Sequence, residues 1–201
     1  MQESGCLYSA AILAGGRATR FGGRDKSALV VSGHTILERQ IAELSQISSD
    51  VMIVGGAPSE VPAGVRHVAD RVVGCGPLGG LHAALTEARG TATAIVACDM
   101  PYISAQLLRY LLALTTDADL VIPRTERGYH PLCAAYTRAC LEPITRRLAD
   151  GRLKLTGLLD DVRVRVVDDE ALEAFGDPER QLANVNTPDE YRSTGSNNVQ
   201  S

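Results

Sequence analysis

Directly behind the apolar run Ala10-Ala11-Ile12-Leu13-Ala14 the chain carries two glycine pairs, Gly15-Gly16 and Gly22-Gly23, and four cations, Arg17, Arg20, Arg24 and Lys26. Glycines let backbone N–H groups turn toward a cluster of oxygens and approach it without a Cβ in the way. The arginine forks and the lysine bring positive charge to the same small volume. Together these are the parts of a phosphate cradle at the end of a buried strand. Two commoner glycine motifs are absent: the two pairs make no G-x-G-x-x-G, and Asp25 precedes Lys26-Ser27 where a Walker loop needs glycine. The bland alternative is a solvated basic loop, and a second feature weighs against it.

That feature is Thr93-Ala94-Ile95-Val96-Ala97-Cys98-Asp99-Met100-Pro101, a run of small and β-branched residues that stops at a carboxylate and a proline. An unbroken apolar run of this length suits a strand covered on both faces, as in a parallel sheet. Pro101 cannot continue a ladder, so Asp99 is expected at or just past the strand's carboxyl end. Open α/β sheets gather ligands at that edge, where the Gly15 loop also emerges. One carboxylate beside a basic cradle suits Mg²⁺ held against phosphates, because magnesium keeps several waters and needs only one or two protein oxygens. A strand-end aspartate also commonly caps the turn that follows it, so Asp99 taken alone leaves both readings open.

The elements that must position these residues alternate along the chain in a βαβ manner. Thr35-Ile36-Leu37-Glu38 has capping-box spacing before a helix of about four turns, with Leu37, Ile41, Leu44 and Ile47 on its apolar face. Strands are expected at 50–54 and 65–70, and a helix opens at Gly76-Pro77-Leu78-Gly79-Gly80 and stops at Gly90. Ser104 caps a leucine-rich helix that leads to a strand at 119–123. A loop and a strand crossing the site follow over 124–136, then a helix over 143–148 that ends at Gly151. Val162-Arg163-Val164-Arg165-Val166 alternates like a half-exposed edge strand and suggests antiparallel pairing. The expected fold class is α/β: a three-layer, Rossmann-like, mixed but mostly parallel sheet with helices on both faces.

Composition bounds the rest. With 201 residues, 45% hydrophobic and 22% charged, the chain suits a single domain over residues 1–191, followed by a frayed Ser/Gly/Asn-rich tail over 192–201. A net charge of −4 gives no advertisement for nucleic acid, so anionic ligands must be met by local cations. Cys6, Cys75, Cys98, Cys133 and Cys140 form no C-x-x-C pair and are odd in number, which argues for reduced cytosolic thiols. The first residues lack a basic n-region and no apolar stretch nears the ~20 residues that span a bilayer, so a cytoplasmic protein without membrane association is expected.

With these features in hand, the sequence resembles the molybdenum cofactor guanylyltransferases of the wider nucleotidyltransferase group. Four segments carry the likeness: 13–16 through Asp25-Lys26, 76–80, Cys98-Asp99-Met100-Pro101, and Asn184-Val185-Asn186-Thr187-Pro188. The resemblance implies transfer of GMP from GTP to the terminal phosphate of molybdopterin, with Mg²⁺, releasing pyrophosphate. It implies that Leu13, Ala14 and Gly15 meet the guanine and ribose, with Gly16 also among the nucleotide-binding residues, Asp70 the nucleoside, Lys26 the phosphates and Asp99 the metal. Lys26, Arg20 and Asp99 would then be the catalytic set, and Asn184, Asn186 and His130 would line the acceptor site. Proteins that deliver molybdopterin or mature molybdoenzymes are the implied partners. Some relatives carry an asparagine where this chain has Gly55-Gly56-Ala57, so any base contact there must come from backbone.

Other polar residues have duller readings. His130 is as well explained by a backbone-satisfied loop. His82 lies in a helix pattern and suggests packing or surface, and Asp160-Asp161 and Asp168-Asp169-Glu170 look like solvated turns. Two rival functions share the phosphate-handling residues: a sister nucleotidyltransferase that loads CTP or activates a sugar phosphate, and a non-catalytic nucleotide sensor.

Overall fold

Runs of small and branched apolar residues without polar alternation must be covered on both faces. The computed structural model, which describes residues 7–14, 30–31, 34–56, 61–70 and 74–185, sets two such runs side by side in the middle of a sheet. They are β1 (Tyr8–Leu13) and β6 (Ala92–Ala97). Between them come β2 (Val30–Val31), β3 (His34–Thr35), α1 (Ile36–Ser45), β4 (Val51–Val54), β5 (Val65–Val68) and α2 (Gly76–Glu87). After β6 follow α3 (Ala105–Ala113), β7 (Leu120–Thr125), β8 (Gly128–Tyr129), β9 (Cys133–Thr137), α4 (Leu141–Ala149), β10 (Val164–Val167), α5 (Asp169–Glu173) and α6 (Pro178–Gln181).

The main sheet runs β10-β7-β9-β6-β1-β4-β5, with β8 paired to β7. Strands β6, β1, β4 and β5 are mutually parallel, whereas β9 is antiparallel to both β6 and β7. One face is packed by Leu44 of α1, Leu107 and Leu111 of α3 and Leu172 of α5. The other takes Leu78, Leu81 and Leu85 of α2 and Ile144 of α4. This is the expected three-layer, mostly parallel α/β arrangement.

Local signals account for the helix starts. Thr35 Oγ1 accepts from Glu38 N–H at 3.1 Å while Glu38 Oε2 accepts from Thr35 N–H at 2.7 Å, closing the capping box of α1. Ser104 Oγ accepts from Leu107 N–H at the start of α3. Gly76 opens α2 at a φ of 59°, left-handed backbone that suits glycine, with Pro77 in the first turn.

Three expectations are corrected. Helix α1 ends at Ser45 instead of extending through Ile47, which packs half-buried against the core beyond it. Gly90 does not stop α2, which ends at Glu87 with Ala88 already extended. Its glycine is required by proximity, since a Cβ there would lie 2.4 Å from the Tyr8 carbonyl carbon and 2.6 Å from Ser9 N. The edge strand at 164–167 pairs with β7 in parallel, not antiparallel. Strand β9, antiparallel to β7, leaves the sheet at the edge where β10 enters it, with Thr137 N–H donating to Asp119 O and Asp119 N–H to Arg163 O, so β10 runs against β9 and with β7.

At the amino ends of the strands a buried polar cluster locks β1, β4 and β5 together. Ser9 Oγ donates to Asp50 Oδ2 at 2.6 Å, Arg89 N–H donates to the same oxygen at 3.0 Å, and Arg66 donates from Nε and Nη2 to Asp50 Oδ1 at 2.9 and 2.7 Å. Burial opposes the charge on Asp50, but the bonds from Ser9, Arg89 and Arg66 outweigh it and hold the carboxyl below its ordinary value. A carboxyl depressed on folding contributes stability above its unfolded pKa, about 3.9, and loses that contribution as the pH falls through its folded pKa. Asp50→Asn is therefore expected to cost about 3–5 kcal/mol at neutral pH in urea unfolding, the scale for removing one partner of a buried ion pair. The deficit should shrink below pH about 4, where the parent carboxyl is protonated on unfolding.

Candidate functional site

The parallel strands end flush at their carboxyl ends because the register is tight. Leu13 is paired with both Val54 and Ala97. Beyond the strands, Cys98 N–H donates to Leu13 O at 3.2 Å, Ala14 N–H to Val54 O at 2.8 Å and Gly55 N–H to Val68 O at 2.9 Å. On the other flank Ala97 N–H donates to Leu132 O at 2.8 Å, which brings the His130–Leu132 turn against the end of β6. Residues from five strand ends thus stand in a row: His130, Asp99, Leu13-Ala14, Gly55-Gly56 and Asp70. With strands about 4.8 Å apart, the step from Ala14 to Asp70 is roughly 10 Å, the scale of a nucleoside.

Asp99 lies two residues past β6, half-buried, in a turn closed by Met100 N–H donating to Ala97 O at 3.3 Å. Val185 N–H donates to Asp99 O at 2.8 Å, which draws the neighbouring Asn184 to the same turn. Gln40, wholly buried on α1, donates from Nε2 to Ala97 O at 2.7 Å and to Met100 O at 3.0 Å. Sequence analysis passed over Gln40. The available signal was a glutamine flanked four residues away on each side by Ile36 and Leu44, the other buried positions of this helix.

Of the expected site residues, Leu13 is buried, Ala14 and Asp70 are half-buried and Asn184 is exposed, all of them along this edge. Gly15, Gly16, Arg17, Arg20, Arg24, Lys26 and Asn186 lie outside the described residues. Gly55 and Gly56 have φ values of 74° and 64°, and a Cβ on Gly56 would lie 3.4 Å from Ala14 O. Two successive left-handed residues explain glycines where some relatives carry asparagine. Helix α2 directs its amino end, with buried Gly79 and Gly80, to the same edge, and its dipole favours anions there.

His130 is half-buried, with Nε2 2.9 Å from Thr125 Oγ1. Burial lowers its pKa, with Glu179 raising it and Arg127 lowering it further, so the imidazole is mostly neutral at pH 7. His82 has the structural role expected of it, with Nε2 3.2 Å from Thr145 Oγ1 on α4. Asp161 is more than a solvated turn: it pairs with the buried Arg147. Asp168 caps α5, its Oδ1 accepting from Ala171 N–H.

Cys75, Cys133 and Cys140 are free thiols, and burial pushes Cys133 and Cys140 up to about 12, which leaves those two as packing residues. Among the described residues no cluster of three or more His, Cys, Asp or Glu could hold a metal ion. A lone carboxylate such as Asp99 fits a hard cation that takes its remaining ligands from phosphates and water. No helix among the described residues is long and apolar enough to cross a membrane.

Residues 10–166 match the MobA-like NTP transferase domain. A probable molybdenum cofactor guanylyltransferase from Pelotomaculum thermopropionicum is 37% identical over 178 residues, covering 88% of this chain and 86% of that protein. The crystal structure of molybdopterin-guanine dinucleotide biosynthesis protein A from Archaeoglobus fulgidus superposes with a TM-score of 0.78 at 24% identity, over 92% of this chain and 96% of that one. A Mycobacterium tuberculosis protein solved as a complex with manganese has a TM-score of 0.64 at 20% identity, over 94% and 97% of the two chains. An NTP transferase match through most of the sheet, together with a relative alike over nearly its whole length, makes this chain a member of the MobA-like NTP transferase family.

Proposed function

We propose that this chain transfers GMP from GTP to the terminal phosphate of molybdopterin, forming molybdopterin guanine dinucleotide and pyrophosphate, with Mg²⁺ held at Asp99. The observation that carries the reading is the bonding of Cys98 N–H to Leu13 O, which sets the Asp99 turn against the strand end leading into Gly15-Gly16. The family's guanylyltransferase members support the choice of base and acceptor.

The chemistry needs alignment more than a base. A phosphate oxygen of molybdopterin is already anionic; it forms a bond to the α-phosphorus of GTP as the bond to the β-bridging oxygen breaks, and that electron pair leaves with pyrophosphate. Leu13, Ala14, Gly15 and Gly16 orient guanine and ribose through backbone groups, and Asp70 accepts from the nucleoside. Lys26 and Arg20 offset charge on the phosphates. Asn184, Asn186 and His130 hold the acceptor, with the neutral imidazole acting as a hydrogen-bonding group and not as a cation. Asp99 would hold Mg²⁺, which would supply charge neutralisation for the phosphates. The reading carries with it a cytoplasmic setting and partners that hand over molybdopterin.

Asp99→Ala is expected to abolish pyrophosphate release while leaving circular dichroism and the melting temperature near the parent's; full turnover in this variant would refute the assignment. GTP with Mg²⁺ at a hundredfold excess over its Kd should stabilise the protein by about 2.7 kcal/mol, a rise of roughly 5–10 °C in Tm. Preferential stabilisation by CTP would displace the guanylyl reading, and tight GTP binding without product on adding molybdopterin would favour a sensor.

A further inference from the structure

A primary amide buried without bonds is costly, and a leucine or methionine would fill the same space in a helix stripe. Gln40 has no exposed surface and sits between Ile36 and Leu44 on the buried side of α1. Both of its donor bonds go to carbonyls, those of Ala97 and Met100, so the amide cannot be turned over without setting oxygen against oxygen. Its Oε1 is buried and has no hydrogen-bond partner among the described residues. The core therefore tolerates a half-satisfied amide at this position, and what the amide holds are the two carbonyls that bracket Cys98-Asp99.

We infer that Gln40 is a positioning residue that sets the orientation of the Asp99 carboxylate from behind, acting across the sheet edge from α1. The strand ladder ends at Ala97, and Pro101 has no N–H with which to extend it. Beyond that point the anchors of the turn among the described residues include the Cys98 N–H bond to Leu13 O, the Met100 N–H bond to Ala97 O, the Val185 N–H bond to Asp99 O, and Gln40. Of these, Gln40 is the one that ties the backbone on both sides of Asp99 to another element. Loss of its two bonds would leave the Met100 carbonyl, in a residue only 2% exposed, to find another donor by moving the turn.

This inference rests on the reading of Asp99 as the metal ligand, and the test separates the two. Mn²⁺ affinity is measured by electron paramagnetic resonance of the free ion, in the presence of GTP and without molybdopterin, for the parent, Asp99→Ala, Gln40→Met, Gln40→Glu and Leu44→Val. Gln40→Met keeps length and volume but removes both donors, and Gln40→Glu keeps length and polarity but opposes the carbonyls with acceptors. Leu44→Val loosens the same buried stripe without touching the turn.

Both Gln40 variants are expected to weaken Mn²⁺ binding on the order of tenfold, the scale of losing an outer-shell partner, while Leu44→Val stays within about twofold of the parent. Unchanged affinity in the Gln40 variants alongside lost affinity in Asp99→Ala would overturn the positioning role alone. An equal loss in Leu44→Val would overturn it in favour of general loosening. Retained affinity in Asp99→Ala would overturn the ligand assignment and this inference with it.

Discussion

Parallel strands that end in register force their chains to leave the sheet at one edge, and here that constraint is imposed by backbone hydrogen bonds that continue past the last paired residues. Leu13 lies opposite Ala97 on one side and Val54 on the other, and the next N–H groups, from Ala14, Gly55 and Cys98, each bond to a neighbouring strand. Slipping β6 by one residue would turn every apolar side chain of a doubly covered strand to the opposite face. The placement of Asp99 beside the end of β1 is thus enforced by the register of the whole core together with the backbone bonds that continue it.

The two ends of the sheet are used differently. At the amino ends, Ser9, Asp50, Arg66 and the backbone of Arg89 and Gly90 satisfy one another in a polar cluster built around the buried Asp50 carboxylate. At the carboxyl ends the chain turns through Gly55-Gly56, Cys98-Asp99 and the Gly76 helix start. Concentrating rigidity at one end lets the other present polar groups without loosening the fold.

The antiparallel strand β9 adds a second consequence. An all-parallel sheet would place only strand exits at the ligand edge, but β9 runs the other way, so its entry turn, with His130 and Leu132, arrives beside Asp99. Of the residues proposed to face the nucleotide, Leu13, Ala14 and Asp70 stand on the β1, β4 and β5 side; of those proposed to face the acceptor, His130 stands on the β9 side and Asn184 on the returning segment. Asp99, at the end of β6, stands between them.

Features with local causes were legible from the amino-acid order: the doubly buried strands from unbroken apolar runs, the start of α1 from Thr35 and Glu38, the start of α3 from Ser104, and Asp99 at a strand end from Pro101. The family was legible too, because its glycine- and charge-bearing segments stand at set spacings along the chain. What depended on partners far along the chain was not. The direction of β10 followed from the antiparallel course of β9, the need for Gly90 came from the backbone of Tyr8, and the two grips on the Asp99 turn came from Gln40 and Val185, distant in sequence. Sequence alone specifies each residue's chemistry and local preference; only tertiary packing decides which distant donor meets which carbonyl, because those pairings are selected by burial of the whole core at once.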